Sequence, residues 1–538
     1  MQHPQHLSAD VLVIGAGGAG MYAALEAARC GASVILADRS LIGRGGATVM
    51  AQMTVAVALD DEGLDHWEHH YADTLKAGRG LCDPALAQLL CEEGPARIRE
   101  MDAWGVGWAK EDSAYKRAFA PGHDRARCVY VDFLNTGPAV SKTLRARLNA
   151  TPEIRRVGDL HITSLVVRGD ECVGAVAWHV PTGNTLNIGA KATIMATGGL
   201  TRLYQRNSAS LNMAGDGYAL ALVAGAELLD MEFVQFFPIG HLAPRLIGMD
   251  PIMWDPFRYK LGGRLLNGAR EEFLHKYGGS DEGRYVATRD LATYAIVKEA
   301  AAGRGSPHGG AWLSFEHCSE AELRAAGGPV IDRLAANGID LTKQAIEVAP
   351  IAHYHMGGVK ADTDMATRVP GLFAAGEAVG GANGANRLSG NAITEALVFG
   401  ARAGQSAALF SQQTKRQAPI DFPPSFPSRT SDFNAAERIE WLQAAMQQDV
   451  GPFRTEAGLK RALDQIRTLR HELVEFRPPA GRPFDTAMLD WLDLDTMTRI
   501  GEVVARASLA RTESRGAHQR EDFPAMDDKW LRNQVISA

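Results

Sequence analysis

The chain has 538 residues, of which 46% are hydrophobic and 22% charged, and its formal net charge is −7 at pH 7. A chain of this length divides into about two to four domains, because one hydrophobic core does not grow that large. The negative balance excludes a basic surface for nucleic acid, and no apolar run is long enough to span a membrane. The N-terminus lacks a signal-peptide pattern, and the six cysteines form no C-x-x-C pair. We therefore expect a cytoplasmic protein without a disulfide framework and without a metal site of its own.

A strand–helix–strand pattern opens the chain. An apolar run at residues 9–14 leads into G-x-G-x-x-G, which begins at Gly15, and an alanine-rich helical segment follows. A second apolar run at residues 34–37 ends at Asp38, 23 residues after Gly15. Glycines in this pattern form a tight turn that lets the backbone approach a pyrophosphate, and the terminal acid binds ribose hydroxyls. The segment predicts a β-α-β unit that binds a dinucleotide.

The rest of the chain alternates between helical, strand-like and glycine-rich segments, with one interruption. The expected segments are, in order, a glycine-rich ligand loop at 40–56, helices at 67–104, an antiparallel sheet with a Gly169-Asp170 hairpin turn at 154–199, an irregular inserted domain at 241–350, renewed β-α rhythm at 371–399, a Pro/Ser-rich linker at 419–431, helices at 435–448 and 455–475, and a charged tail.

Several further motifs occur together in a specific order. They are A-T-G-G at 196–199, G-D-G at 215–217, M-E-F-V-Q-F at 231–236, T-R-D at 288–290, H-Y-H-M-G-G at 353–358, G-A-N-R-L-S-G-N at 384–391 and E-S-R-G-A-H at 513–518. In this order and spacing the chain resembles the flavoprotein subunits of succinate dehydrogenase and fumarate reductase, and L-aspartate oxidase. The resemblance implies an α/β fold, α+β overall. It would comprise a Rossmann-like FAD-binding domain at 1–240 and 351–418, an inserted capping domain at 241–350 and a C-terminal helical domain at 430–538.

The resemblance also implies the cofactor and its contacts. Carried over by position, the residues that would bind FAD are Gly15, Gly17, Gly18, Ala19, Gly20, Asp38, Arg39, Ser40, Gly45, Gly46, Thr48, Thr197, Gly198, Asp216, Glu377, Asn391 and Ile393. Respiratory members of the family carry a histidine that bonds covalently to FAD, whereas this chain has Ala47 at that position. We therefore expect FAD to be bound non-covalently.

Three residues match catalytic positions of the family. Arg289 matches the arginine that exchanges a proton with the substrate carbon, and His353 and Arg387 match residues that hold a substrate carboxylate. Arginine suits a carboxylate because its planar guanidinium pairs with both oxygens. Structural roles remain alternatives: an ion pair of Arg289 with Asp290, a buried structural histidine at 353, and a flavin-facing structural cation at 387.

Two segments depart from the family pattern at the substrate site. The usual H-P-T-G after Q-F is F-P-I-G at residues 237–240, which removes a histidine that binds a second carboxylate. The stretch that supplies another carboxylate contact and the proton relay is altered at residues 255–263, where Arg258 or Lys260 could substitute. Burying an unpaired carboxylate against Phe237 would cost several kcal/mol. We therefore expect a substrate with one carboxylate and an apolar or differently polar far end, rather than plain succinate or fumarate.

The sequence thus predicts an FAD-dependent oxidoreductase that transfers hydride between flavin N5 and a carbon adjacent to a carboxylate. The alternatives are a flavin subunit that works with an iron–sulfur protein on a different substrate, as in adenylylsulfate reductase, an amino acid oxidase resembling L-aspartate oxidase, and a flavin-binding protein without catalysis. Expected partners are a small carboxylate substrate and an iron–sulfur or quinone-linked electron partner, with a homo-oligomer also open. His241 and His355 remain open between structural roles and substrate contact.

Overall fold

A computed structural model describes residues 5–60, 63, 65–132, 134–246, 252–278, 289–415, 433–478 and 482–538. The chain forms two compact units. The larger unit comprises Met1–Gln205, Ala209–Val234 and Tyr354–Ala538, and the smaller unit comprises Arg206–Ser208 and Gln235–His353. The linker predicted at 419–431 lies outside the described residues, and the four domain boundaries stay predictions.

The secondary structure of the described residues is mixed. The strands are β1 Gln5–Ile14, β2 Val34–Ala37, β3 Val55–Ala56, β4 Lys110–Glu111, β5 Ala114–Tyr115, β6 Arg117–Ala118, β7 Cys128–Val129, β8 Ile154–Val157, β9 Leu160–Arg168, β10 Glu171–His179, β11 Asn184–Met195, β12 Leu228–Leu229, β13 Val234–Ala243, β14 Arg264–Leu266, β15 Ala311–Ser314, β16 Ile346–His355, β17 Gly358–Val359, β18 Leu372–Ala374 and β19 Val535–Ile536. The helices are α1 Gly18–Arg29, α2 Trp67–Ala77, α3 Pro84–Ala103, α4 Thr136–Asn149, α5 Asp216–Val223, α6 Asp255–Leu261, α7 Arg289–Ala301, α8 Glu320–Ala336, α9 Asn391–Gln413, α10 Ala435–Asp449, α11 Glu456–Glu475 and α12 Thr486–Ala510.

The main sheet of the larger unit has the strand order β8-β2-β1-β11-β10-β9, and β18 also pairs with β11. Strand β1 lies parallel to both β2 and β11, so that Val11 faces Val34 on one side and Ala192 on the other. Its apolar run is fully buried, as expected for a central parallel strand. The predicted β-α-β unit is therefore present, and so is the hairpin at Gly169, which joins antiparallel β9 and β10.

Helices α1 and α9 pack closely because two glycines lie at their contact. A Cβ atom on Gly400 would lie 2.6 Å from the carbonyl oxygen of Ala19, and one on Gly404 would lie 2.4 Å from that of Ala23. Larger residues would push the helices apart. The glycines therefore fix α9 against the helix that follows the Gly15 turn.

The smaller unit has its own antiparallel sheet and aromatic core. Its strand order is β13-β16-β15-β14. Trp254 is fully buried and packs against Phe257 and Phe315 at ring-centroid distances of 5.6 and 6.1 Å. Helix α8 bends at Gly327, where a Cβ atom would lie 2.6 Å from the Phe257 ring. This core holds α6 beside the sheet.

The C-terminal part of the larger unit is helical, with α10 and α11 both packed on α12. The first two helices match the predicted patterns, whereas the 25-residue α12 was not predicted. The segment after α12 is charged as expected, and its Arg511, Glu513 and Arg515 side chains are buried. In the described part of the chain, no helix has the length and apolar character needed to cross a membrane.

Candidate active site

The G-x-G-x-x-G motif, which spans the turn after β1 and the start of α1, requires glycine at its first and last positions. Gly15 has φ of +101°, and a Cβ atom there would lie 2.3 Å from the carbonyl oxygen of Ala196. A Cβ atom on Gly20 would lie 1.8 Å from the carbonyl oxygen of Gly15. The backbone N–H of Gly18 donates to Thr48 Oγ1 at 3.0 Å, which ties the turn to the glycine-rich loop. The N-terminus of α1 follows directly, and its partial positive charge suits an anionic group.

Asp38 directly follows β2, and its side chain links the Gly15 turn to the loop at Ser40. Its Oδ2 accepts from the N–H of Ala16 at 2.6 Å, and its Oδ1 accepts from the N–H and Oγ of Ser40 at 2.8 and 2.9 Å. Burial raises the pKa of Asp38 although these hydrogen bonds oppose the shift. A carboxylate offers about four acceptor positions, so one remains for a ligand hydroxyl.

Two residues that the sequence did not single out hold the glycine-rich loop. The N–H of Gly46 donates to Ser210 Oγ at 2.7 Å, and Asn212 Nδ2 donates to Ser40 Oγ at 2.8 Å. A Cβ atom on Gly45 would lie 2.3 Å from that same Asn212 amide. The polar run just before the G-D-G motif was the signal that could have indicated them.

Two buried polar atoms among the predicted FAD-binding residues fit a bound FAD. Thr197 Oγ1 and Asp216 Oδ1 are buried, and neither has a hydrogen-bond partner among the described residues. Buried polar atoms of this kind are normally satisfied by a ligand or water. Gly198, the residue after Thr197, has φ of +74°, a conformation that favours glycine.

The turn after β18 carries Glu377. A Cβ atom on Gly199 would lie 2.3 Å from Glu377 Oε1, so glycine is required there. The N–H of His355 donates to the same oxygen at 3.0 Å. Burial and the nearby Glu395 carboxyl raise the pKa of Glu377 to about 8. The side chain therefore holds a proton at neutral pH and can donate as well as accept a hydrogen bond.

Arg387 belongs to the same unit as these residues. Its guanidinium carbon lies 4.4 Å from the centre of the Tyr354 ring, and Nη1 donates to the carbonyl oxygen of Leu388 at 3.2 Å. Only 8% of the arginine is exposed. A cation that lies over an aromatic ring and is largely shielded from water interacts strongly with an anion.

His353 and Arg289 belong to the smaller unit. Ser208 Oγ lies 2.7 Å from His353 Nδ1, and the Phe237 ring contacts the imidazole edge-on at a centroid distance of 5.7 Å. Ser208 was not predicted, and it fixes the orientation of the ring. Arg289 begins α7. Its side chain, Thr288 and the alternative ion pair with Asp290 lie outside what is described.

The comparisons with known proteins decide the family. A model described as FAD binding domain matches residues 10–393, and one described as fumarate reductase flavoprotein C-term matches residues 439–538. The chain belongs to the fumarate reductase and succinate dehydrogenase flavoprotein family. It is therefore an FAD-dependent oxidoreductase, and the predicted cofactor and enzyme class are confirmed.

Three relatives illustrate the match over the full length. A fumarate reductase (CoM/CoB) subunit of Methanothermobacter marburgensis is 34% identical, over 98% of this chain and 97% of its own. L-Aspartate oxidase of Caulobacter vibrioides is 34% identical, over 97% and 95%. The structure of Mycobacterium smegmatis Sdh1 in complex with UQ1 has a TM-score of 0.88 at 32% identity, over 98% and 91%. The predicted fold class is thereby confirmed.

Among the predicted FAD-binding residues of this oxidoreductase, Arg39 lies in a cluster of two arginines and two aspartates. It donates to Asp216 Oδ2 at 2.9 Å and to Asp493, which also pairs with Arg202. Burial alone would raise the pKa of the Asp493 carboxyl, but the charges of Arg39 and Arg202 have the larger effect, and the net pKa is lowered. His161, Asp216 and Asp493 lie close enough to hold a cation. Because two arginines already neutralise the two carboxylates, a divalent cation would add uncompensated buried charge, and we assign no metal.

Asn391, at the start of α9, uses both ends of its amide within the protein. Its Oδ1 lies 2.8 Å from His70 Nε2, and its Nδ2 donates to Thr74 Oγ1 at 3.2 Å. The preceding loop is held from a second direction, because His123 Nε2 lies 2.7 Å from the carbonyl oxygen of Ser389. The neighbouring Ile393 is buried. Neither histidine was predicted as a support of α9.

His241 and His355 both have structural partners in this flavoprotein. His241 Nδ1 accepts from Trp254 Nε1 at 3.1 Å, and Nε2 lies 2.6 Å from the carbonyl oxygen of Pro244. His355 is fully buried, with Nδ1 3.1 Å from Tyr218 Oη and Nε2 3.2 Å from a backbone carbonyl. Burial lowers the pKa of His355 to about 3, so it is neutral.

The altered segment at residues 255–263 forms α6. Asp255 and Arg258 lie three residues apart on this helix and are 1% and 0% exposed, whereas Lys260 is exposed. Burial thus distinguishes the two cations that the sequence left as alternatives. Arg258 is the one withdrawn from water together with an acid.

Proposed function

We propose that this enzyme oxidises or reduces the carbon next to a single substrate carboxylate, with Arg387 binding that carboxylate. Bound FAD supplies the hydride chemistry. The observation that carries the proposal is that the Arg387 guanidinium is buried over the Tyr354 ring. Both residues lie in the unit that holds the predicted FAD-binding residues. His353, oriented by Ser208, assists in holding the substrate, and Arg289 donates or accepts the proton at the substrate carbon.

The substrate has an apolar end rather than a second carboxylate. Phe237 stands where the family has a carboxylate-binding histidine, and it packs against His353. A second carboxylate there would lose its hydration without gaining a partner. Of the two cations that could substitute for the altered carboxylate-contact and proton-relay stretch, we propose Arg258, because it is buried whereas Lys260 is exposed.

A screen of carboxylic acids tests this proposal. Holoenzyme reduced with dithionite without oxygen is mixed with crotonate, cinnamate or fumarate, and flavin reoxidation is followed by absorbance. We expect the monocarboxylates to reoxidise the flavin faster than fumarate. Faster reoxidation by fumarate would contradict the single-carboxylate substrate, and no reaction with any acid would contradict the proposed reaction.

We also propose that FAD is held without a covalent bond, because residue 47 is alanine. Acid precipitation of the holoenzyme should release the flavin into the supernatant, where its absorbance is measured. An Ala47→His variant is the matched comparison. Flavin retained in the wild-type pellet would contradict the proposal.

The electron partner is proposed to be a separate iron–sulfur or quinone-linked protein. Support comes from relatives that are named as subunits. A relative named L-aspartate oxidase, equally identical to this chain, favours a second candidate, a self-contained oxidase that uses oxygen. Rapid reoxidation of the reduced enzyme by air alone would favour the oxidase, whereas co-purification of an iron–sulfur protein would favour the multi-subunit complex.

A further inference from the structure

Glu395 is a buried acid that the proposed reaction does not use. It lies on α9, one turn after Asn391, and is fully buried. Its Oε2 accepts from Tyr354 Oη at 2.5 Å and from Asn383 Nδ2 at 2.7 Å. Its Oε1 is equally buried and has no hydrogen-bond partner among the described residues. One half of the carboxyl is thus firmly held and the other half is unsatisfied.

The two donors to Glu395 lead to the two ends of the proposed site. Tyr354 supports the guanidinium of Arg387 on its ring. Asn383 accepts from Asn391 Nδ2 at 3.5 Å, at the start of the helix predicted to face the flavin. Glu395 therefore lies at the centre of a buried polar chain between the carboxylate-binding arginine and the cofactor.

The ionisable groups around Glu395 in the described structure come from four segments of the chain. The ionisable groups that face it in the described structure are Tyr354 from β16, Arg387 from the loop before α9, Glu377 from the turn after β18 and Tyr218 from α5. His70 on α2 reaches it only through Asn391 and Asn383. Arg387 is the cation in this set.

Burial and Arg387 act on Glu395 in opposite directions. Burial raises the pKa of Glu395 to about 7, while the hydrogen bonds and the charge of Arg387 hold it down. A ligand carboxylate that neutralises Arg387 removes this opposition. The acid is then more easily protonated at neutral pH.

We propose that Glu395 is a positioning residue that takes up a proton from solvent when a carboxylate pairs with Arg387. The proton adds to Oε1, which has no donor, while Tyr354 and Asn383 remain bonded to Oε2. The charge of the buried cluster therefore stays constant as an anion enters, and the side chains that orient Arg387 and Asn391 do not move. This inference rests on the proposed role of Arg387.

Infrared difference spectroscopy of the oxidised holoenzyme tests the coupling. The C=O stretch of protonated Glu395 should be present below about pH 7 and lost above it in the wild type, whereas the band of protonated Glu377 should persist to about pH 8. The Glu395 band should be absent in Glu395→Gln and unchanged in the control Glu100→Gln, which removes another acid with a raised pKa. In Arg387→Met the band should persist to higher pH. Comparing the wild type with Arg387→Met follows the band of Glu395 itself, so the result does not depend on whether Glu395→Gln folds.

Adding crotonate, which oxidised flavin cannot reduce, separates this inference from the proposed function. A shift of the band in the same direction as in Arg387→Met supports both. A shift in Arg387→Met without a shift on crotonate addition contradicts carboxylate binding at Arg387 and supports the charge coupling. An unchanged titration in Arg387→Met overturns the inference.

Discussion

Arg289→Ala is expected to slow turnover strongly while FAD stays bound. The predicted FAD-binding residues all belong to the larger unit, whereas Arg289 begins α7 in the smaller one. A positioned proton donor contributes roughly 10²- to 10⁴-fold to a rate, and turnover should fall by about that factor. Single-turnover reoxidation of the reduced flavin by crotonate measures the rate, and flavin absorbance measures occupancy.

Arg304→Ala is the matched control for this experiment. Arg304 lies in the same unit and pairs with Glu299, with half of its side chain exposed. Removing it deletes an arginine without touching the proposed chemistry. Equal rates in the Arg289 variant and in the wild type would exclude the proton role, and loss of FAD from the variant would indicate a structural one.

The opening of the fold could be predicted because its determinants are local. Gly15 and Gly20 are required by contacts within one turn and the adjacent strand, and Asp38 closes the same β-α-β unit. The hairpin at Gly169 likewise depends on a few neighbouring residues. Patterns of this kind are visible in a window of about 10–20 residues.

The supports of the site could not be predicted because they join distant segments. His70 reaches Asn391 across 321 positions, and Ser210 reaches Gly46 across 164. A histidine on a helix and a serine in a polar run carry no local mark of these partners. Only the folded backbone brings them together.

Helix α12 and the burial of the charged residues after it could not be predicted, for a related reason. Helix α12 buries polar residues such as Asp493 together with apolar ones, so its apolar period is indistinct in the sequence. In the tail, Arg511 pairs with Glu232 and Glu513, and all three are fully buried. Charged residues usually lie on the solvent-exposed surface. Here the burial of Arg511 depends on its pairing with Glu232, which lies 279 positions earlier in the chain.

Arg387→Met is expected to weaken binding of carboxylates while leaving FAD in place. Removing one partner of a desolvated charge pair costs about 2–5 kcal/mol, which corresponds to roughly 30- to 4,000-fold in affinity. Methionine retains an apolar side chain that can rest on the Tyr354 ring. The dissociation constant of crotonate, measured through the flavin spectrum of the oxidised holoenzyme, should rise by a factor in this range.

Arg402→Met is the control that separates charge from position. Arg402 lies on α9, pairs with Glu93 and is 31% exposed in its side chain. Both variants remove one positive charge from the larger unit, so any long-range electrostatic attraction of an anion falls equally. If the two variants weaken crotonate binding alike, Arg387 acts only through net charge. A loss confined to Arg387→Met shows that the position of this charge matters and supports carboxylate binding near Arg387, since screening at physiological ionic strength weakens the effect of exposed charges beyond about 8 Å.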